Sequence, residues 1–245
     1  MSQRWLSRYL AGDRASVWHE MRQRGNAIRR DPELEDEAQQ VCDEMARRAR
    51  QNVEVIVERL TADGYRFHTN DDDRTPLTPH YPPTARASEL VDWLDRRFGE
   101  VPLTLRAWAR GVGDVWLVGS HPEWPTAAEA DPLVCEVEGS RYPADQPMTD
   151  YYAGELEMWQ ETGDDRLLVL PLSPDGTHKA SRSGGPPYGV IVPDGCADAL
   201  FAAETTSPFV EYLNYVFRNG GFPRRTGTQN EWRIRHRLAK DLLPL

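Results

Sequence analysis

Apolar residues recur at Leu34, Ala38, Val41, Met45, Ala49, Val53, Ile56 and Leu60. The intervals alternate between three and four, the period of one helix face. Asp31-Pro32-Glu33 supplies a cap, a first-position proline and an acidic first turn, and Gly64 stands ready as a stop. The pattern predicts a helix of about 30 residues, roughly 45 Å long. Its other face is polar, so it packs on one side. That stripe is read mainly as packing within the chain, with a homodimer through residues 32–62 as the alternative to a monomer.

Ahead of it, Trp5, Leu6, Tyr9 and Leu10 form a short amphipathic stretch ended by Gly12-Asp13. Asp13 caps a second helix that carries Val17, Trp18, Met21 and Ile28 and is weakened by Gly25. Tyr65-Arg66-Phe67 enters a strand. Residues 67–87 read as a linker, with Asp71-Asp72-Asp73 followed by Pro76, Pro79, Pro82 and Pro83, too proline-rich for helix and too polar for core. Ser88 then caps a helix with Leu90, Val91, Leu94 and Phe98, and Pro102 starts a shorter one with Leu105, Trp108 and Ala109. Buried strands are expected at 115–118, 133–137, 167–170 and 188–192, with a short helix at 151–161. Ser207-Pro208 opens a helix with Phe209, Tyr212, Leu213, Val216 and Phe217, stopped by Gly220-Gly221. A last amphipathic helix is expected near 230–243, with Trp232, Leu238 and Leu242 on its apolar side. The order predicts an α+β fold. A helical segment (1–66) and the linker (67–87) precede an α+β domain with an antiparallel sheet flanked by helices (88–223), and a basic helix closes the chain (224–245).

Composition narrows the function classes. The chain has 245 residues, 39% hydrophobic and 28% charged, enough to bury a core without disulfides or a metal. No apolar run nears the roughly 18 residues of a membrane span, and the start lacks an apolar signal region. Cys42, Cys135 and Cys196 are far apart and form no CxxC. A reducing cytoplasm is expected, without membrane attachment, disulfide framework or cysteine zinc site.

The net charge of −10 is unevenly spread. Residues 1–60 balance 11 Arg against 11 Asp+Glu, residues 61–217 set 11 Lys+Arg against 26 Asp+Glu, and residues 218–245 set 7 against 2. The acidic middle argues against a nucleic-acid partner and suits a basic protein. Solubility alone is the plainer reading of that charge. The basic tail could bind phosphate or pair with the acidic middle, and the second is favoured. Among 29 basic residues only Lys179 and Lys240 are lysines, which makes Lys179 conspicuous.

The loop between the last two expected strands holds the candidate chemistry: Asp175, His178 and Lys179, then Ser183, Gly184, Gly185 and Tyr188. A Gly-Gly turn with a hydroxyl and an ammonium can hold a phosphate or carboxylate. The run is not a Walker motif, and no nucleophile elbow surrounds Ser183, although the residue types of a triad are present. A structural hairpin is the plain alternative, and no catalytic residue is assigned. The six histidines are scattered, the closest two 12 residues apart, so neither a metal nor another cofactor is expected. Trp93, Trp108 and Trp116 fall in core-like patterns, whereas Trp124 and Trp159 sit near loops where an aromatic can anchor a partner. Trp116 and Trp124 are counted with the candidate partner contacts.

A resemblance runs through the middle of the chain. A helix is followed by Val101-Pro102-Leu103-Thr104-Leu105-Arg106-Ala107-Trp108, a glycine turn and Val115-Trp116-Leu117; later come Leu170-Pro171-Leu172-Ser173-Pro174-Asp175 and Phe209-Val210-Glu211-Tyr212-Leu213. This order resembles the SUKH superfamily, bacterial immunity proteins related to fungal cell-wall-assembly regulators, over residues 85–223. Trp108 stands where that family has Phe or Leu, and the turn reads Gly111-Val112-Gly113 rather than Gly-Gly. Pieces such as Gly64-Tyr65-Arg66-Phe67 and Gly220-Gly221-Phe222-Pro223 also resemble a set of bacterial proteins that bring no function with them. The SUKH resemblance implies an α+β fold with a curved antiparallel sheet and a non-enzymatic role, binding a protein such as a basic toxin. The rival reading is a small-ligand or hydrolytic site on the 175–188 loop.

Overall fold

The computed structural model describes residues 4–162 and 167–245. The chain opens with α1 (Trp5–Leu10), α2 (Arg14–Arg24) and a 3-10 turn (Gly25–Arg30), then α3 (Pro32–Ala62). The Asp31 carboxylate accepts from the N–H groups of Glu33 and Leu34, satisfying donors that every helix start leaves open. Ala38, Val41, Met45, Ala49, Val53, Ile56 and Leu60 are all buried.

After α3 come β1 (Arg66–Phe67), β2 (His80–Tyr81), α4 (Ala87–Phe98), α5 (Leu103–Gly111), β3 (Asp114–Trp116) and β4 (Gly119–Ser120). The stripe of α3 packs chiefly on α5 and also on α1. The seam that a coiled coil would use is therefore occupied within the chain. Part of the expected linker is structured: β2 pairs with β3, the Pro79 carbonyl accepts from the Trp116 N–H at 2.8 Å, and Leu77 packs against Trp116, Val118 and Val134. Proline lacks a donor but keeps its carbonyl, so it can border an edge strand. The α4 helix begins at Ala87 with Arg86 at its cap position, two residues ahead of the expected cap Ser88.

A 3-10 turn (Ala127–Ala130) precedes β5 (Val134–Cys135), α6 (Met148–Thr162), β6 (Leu168–Ser173) and α7 (Gly176–Lys179). The chain closes with β7 (Tyr188–Val192), β8 (Leu200–Ala202), β9 (Thr206–Pro208), α8 (Phe209–Arg218) and α9 (Glu231–Ala239). The fold is α+β. Among the described residues the named strands all pair antiparallel, in a four-stranded sheet β6-β7-β8-β9, a three-stranded sheet β2-β3-β5 and the pair β1-β4. In β7, Gly189 faces Pro171, and a Cβ there would lie 1.9 Å from the Leu170 carbonyl oxygen, so only glycine admits this close approach.

One hydrophobic cluster runs from Trp5 to Leu245 and includes Trp108 and Trp124. Two polar ties cross it. The N–H groups of Leu103 and Thr104 at the head of α5 donate to the carbonyls of Cys196 and Ala197. Arg22 on α2 pairs at 3.0 Å with Asp198, which also accepts from the Val210 N–H near the start of α8. Burial pushes the Asp198 carboxyl up to about 6 against both contacts.

Two local expectations give way. Ser207 lies in β9 and Pro208 holds the cap position of α8, because pairing with β8 extends the strand to the helix. The last helix is shorter than 230–243, and Trp232 points to solvent while Ile234 and Leu238 face the core.

Candidate functional site

The 174–187 segment joins the antiparallel strands β6 and β7, as a hairpin connection does, and it opens with a capped helical turn. The Asp175 carboxylate accepts from the Thr177 and His178 N–H groups at 2.7 and 3.4 Å, starting α7. His178, one turn on, turns back so that its Nδ1 lies 2.5 Å from the other Asp175 oxygen. Burial opposes the Asp175 charge, but the His178 ring and the two N–H groups outweigh it and hold the carboxyl below its usual range. Gly184 closes over this pair, for a Cβ there would lie 2.2 Å from Asp175 Oδ2. The Tyr188 hydroxyl accepts from the Gly176 N–H at 3.2 Å.

Lys179 leaves the site altogether. Its ammonium is fully buried, 2.7 Å from Asp131 and 5.0 Å from the centre of the Tyr188 ring. Burial lowers its pKa and Asp131 opposes that shift. Ser183 and Gly185 are exposed, and among the described residues no hydroxyl or thiol is hydrogen-bonded to the His178 ring. The triad residue types named from the sequence are thus not assembled. Trp116, Trp124 and Tyr188 are buried, and of the three only Tyr188 lines a groove, the one it shares with Pro186 and Pro187. Trp124 donates to Thr226 at 2.9 Å and packs on Phe222 at 5.0 Å, so its loop position conceals an interior side chain.

His178 faces a groove of about 680 Å³, within the size range of ligand sites. Pro171, Leu172, Ser173 and Pro174 line it from β6 and beyond; Tyr142 and Pro147 line it from the segment before α6, and Met148 and Tyr151 from the first turn of α6. Sequence reading missed the pair that shapes it. Arg141 meets Glu136 at 2.5 and 3.1 Å, with its guanidinium 3.9 Å from the centre of the Trp116 ring and 4.3 Å from that of Tyr142. Burial raises the Glu136 carboxyl, and Arg141 works against it. Asp114 fixes the intervening turn by accepting from the N–H groups of Val137, Glu138 and Ser140 at 2.6, 3.0 and 2.7 Å. The spacing Glu136 to Arg141 around Gly139 was the available signal, and it reads as an ordinary turn.

The short helix expected at 151–161 is α6, Met148–Thr162, and its exposed outer face is the second missed feature. Tyr152 and Leu156 pack inward, while Tyr151 and Met158 stay 45% and 55% exposed. Tyr151, Glu155, Met158 and Thr162 follow intervals of four, three and four and share one face. The helix carries Asp150, Glu155, Glu157 and Glu161 and no basic residue. Trp159 and Met158 border a second groove of about 690 Å³ on the far side of Pro186 and Pro187.

The three cysteines are buried and burial pushes their thiols up, which suits inert core residues. Among the described residues no group of three His, Cys, Asp or Glu is placed to hold a metal ion, and no helix is long and apolar enough to cross a membrane. No protein-family model, no curated protein and no solved structure matches the chain.

Proposed function

We propose that the chain is a non-enzymatic protein-binding module whose recognition surface is the outer face of α6 with the adjoining groove. One observation carries this reading: Tyr151 and Met158 stand exposed on a helix whose charges are all negative. Large exposed side chains of this kind anchor interfaces, and an acidic surround selects a basic partner. An immunity-type inhibitor seated on a basic toxin is the form that the SUKH resemblance adds to this picture. The net charge of −10 supports it further.

The alternative, a small-ligand or hydrolytic site, rests on the Asp175–His178 pair at the groove edge. The ring's other nitrogen could serve as a base, yet no nucleophile is bonded to it among the described residues.

The test uses a partner captured from the native host, identified, and purified for titration calorimetry. The expected complex is stoichiometric and weakens as salt rises. Tyr151→Ala and Met158→Ala each weaken it by about fivefold or more, the effect of losing an interface anchor. An affinity untouched by both substitutions and by salt overturns the reading. So does hydrolysis of a small substrate that is abolished by His178→Ala.

A further inference from the structure

The basic tail carries its charge in two ways. Arg224 pairs with Glu204, Arg233 with Glu123 and Arg237 with Asp63, as expected of a tail folded onto an acidic middle, while Arg235 pairs with Glu231 within the tail. Arg218 and Arg225 are exposed and close no ion pair among the described residues. Both line a cavity of about 350 Å³, together with Trp232 and His236.

The floor of this cavity is built and saturated. Arg235 is buried and donates to Glu231 Oε1 at 2.5 Å, Asn219 Oδ1 at 2.7 Å and the carbonyls of Arg224 and Pro223. The other Glu231 oxygen accepts from the N–H groups of Thr226 and Gly227 at 2.9 and 2.8 Å. The one carboxylate lining the cavity is therefore consumed and cannot neutralise Arg218 and Arg225. The rim is the reverse. Trp232 is 73% exposed, with one ring face stacked on His236 at 5.3 Å and 23°.

A flat aromatic platform and two uncommitted guanidinium groups, around a cavity of small-ligand size, fit one class of molecule. Guanidinium groups match phosphate oxygens in geometry, and heterocyclic bases stack on indole. We propose that this cavity binds a nucleoside diphosphate, with its base against Trp232 and its phosphates on Arg218 and Arg225. The site shares no lining residue with the groove beside α6, so it stands or falls independently of the protein-binding reading.

Calorimetry of the full chain tests this with ADP and GDP, and with adenosine, inorganic pyrophosphate and a short oligonucleotide as comparison probes. At least one diphosphate is expected to bind about tenfold or more tightly than adenosine and pyrophosphate, as joint stacking and phosphate contacts require. Trp232→Ala and the double variant Arg218→Gln/Arg225→Gln are each expected to weaken it by about tenfold. The substituted side chains are exposed, so circular dichroism should be unchanged. The proposal is overturned if neither diphosphate binds at about 1 mM. It is also overturned if pyrophosphate binds as well as ADP and Trp232→Ala has no effect, or if the oligonucleotide binds more tightly than either diphosphate.

Discussion

His178 and Lys179 are consecutive residues of α7, yet they meet opposite surroundings. Each is basic, and each closes a short contact with an aspartate: 2.5 Å to Asp175 and 2.7 Å to Asp131. The His178 side chain is 47% exposed and reaches three residues back, while Lys179 is fully buried and reaches 48 residues across the fold. Residues one apart on a helix point about 100° apart. At the edge of a sheet domain that turn separates solvent from interior. The contrast teaches that a cluster of chemical residue types along a loop is not a cluster in space. Lys179 ties α7 to the turn before Asp131, whereas His178 is left for the groove.

Three experiments press on this contrast. Lys179→Met should produce the largest effect, a loss of about 3–5 kcal/mol in denaturant unfolding, because it strands Asp131 in the interior. Adding Asp131→Asn should recover much of that loss. A single variant as stable as the parent would place Lys179 outside the core and erase the difference between the two residues.

Asp175→Ala should cost about 1–2 kcal/mol, the usual worth of a helix cap. Asp175→Asn keeps a capping oxygen and should cost less. The sign of the pH dependence follows from the lowered carboxyl. The folded state binds the proton less tightly than the unfolded chain. The stability from Asp175 is therefore present above the ordinary aspartate range, near pH 4, and is lost as pH falls through its folded value. Stability–pH curves of the parent and the Asn variant should diverge below about pH 4. Curves that stay parallel there would show that the His178 contact does not stabilise the charge.

His178→Ala should change stability least, by less than about 1 kcal/mol, as a half-exposed contact screened by water allows. Unfolding titrations next to Lys179→Met measure the gap directly. Equal losses at the two positions would collapse the comparison.

Much of the helical architecture was legible in the sequence. Asp31-Pro32 and the spacing of Val41, Met45, Val53 and Ile56 describe α3 without reference to anything else, and Phe209 to Phe217 describe α8 almost as well. The strands at 168–173 and 188–192 were legible as apolar runs. Within the candidate site, Asp175 and His178 were named from the sequence, but not the helical turn through which a cap and a residue three positions on meet. The buried ends of Lys179 and Trp124 were not legible, because their partners Asp131 and Thr226 lie 48 and 102 residues away. Trp232 misled in the other direction. It sits beside Ile234 and Leu238 in sequence, yet the helix turns it toward water.

Local rules therefore determined the helices, the Asp31 cap of α3, the apolar strands and the division of charge into a balanced start, an acidic middle and a basic tail. These depend on interactions within a turn or two, which neighbouring residues contain in full. Only the tertiary structure decided which charges are consumed. It buried Lys179 on Asp131 and stacked Arg141 between Trp116 and Tyr142. It also left Arg218 and Arg225 without an ion pair among the described residues, around the cavity that Trp232 lines, and exposed Tyr151 and Met158 on an acidic helix. Desolvation and pairing act across space, so the same arginine or tryptophan can be scaffold or contact according to what the fold brings beside it.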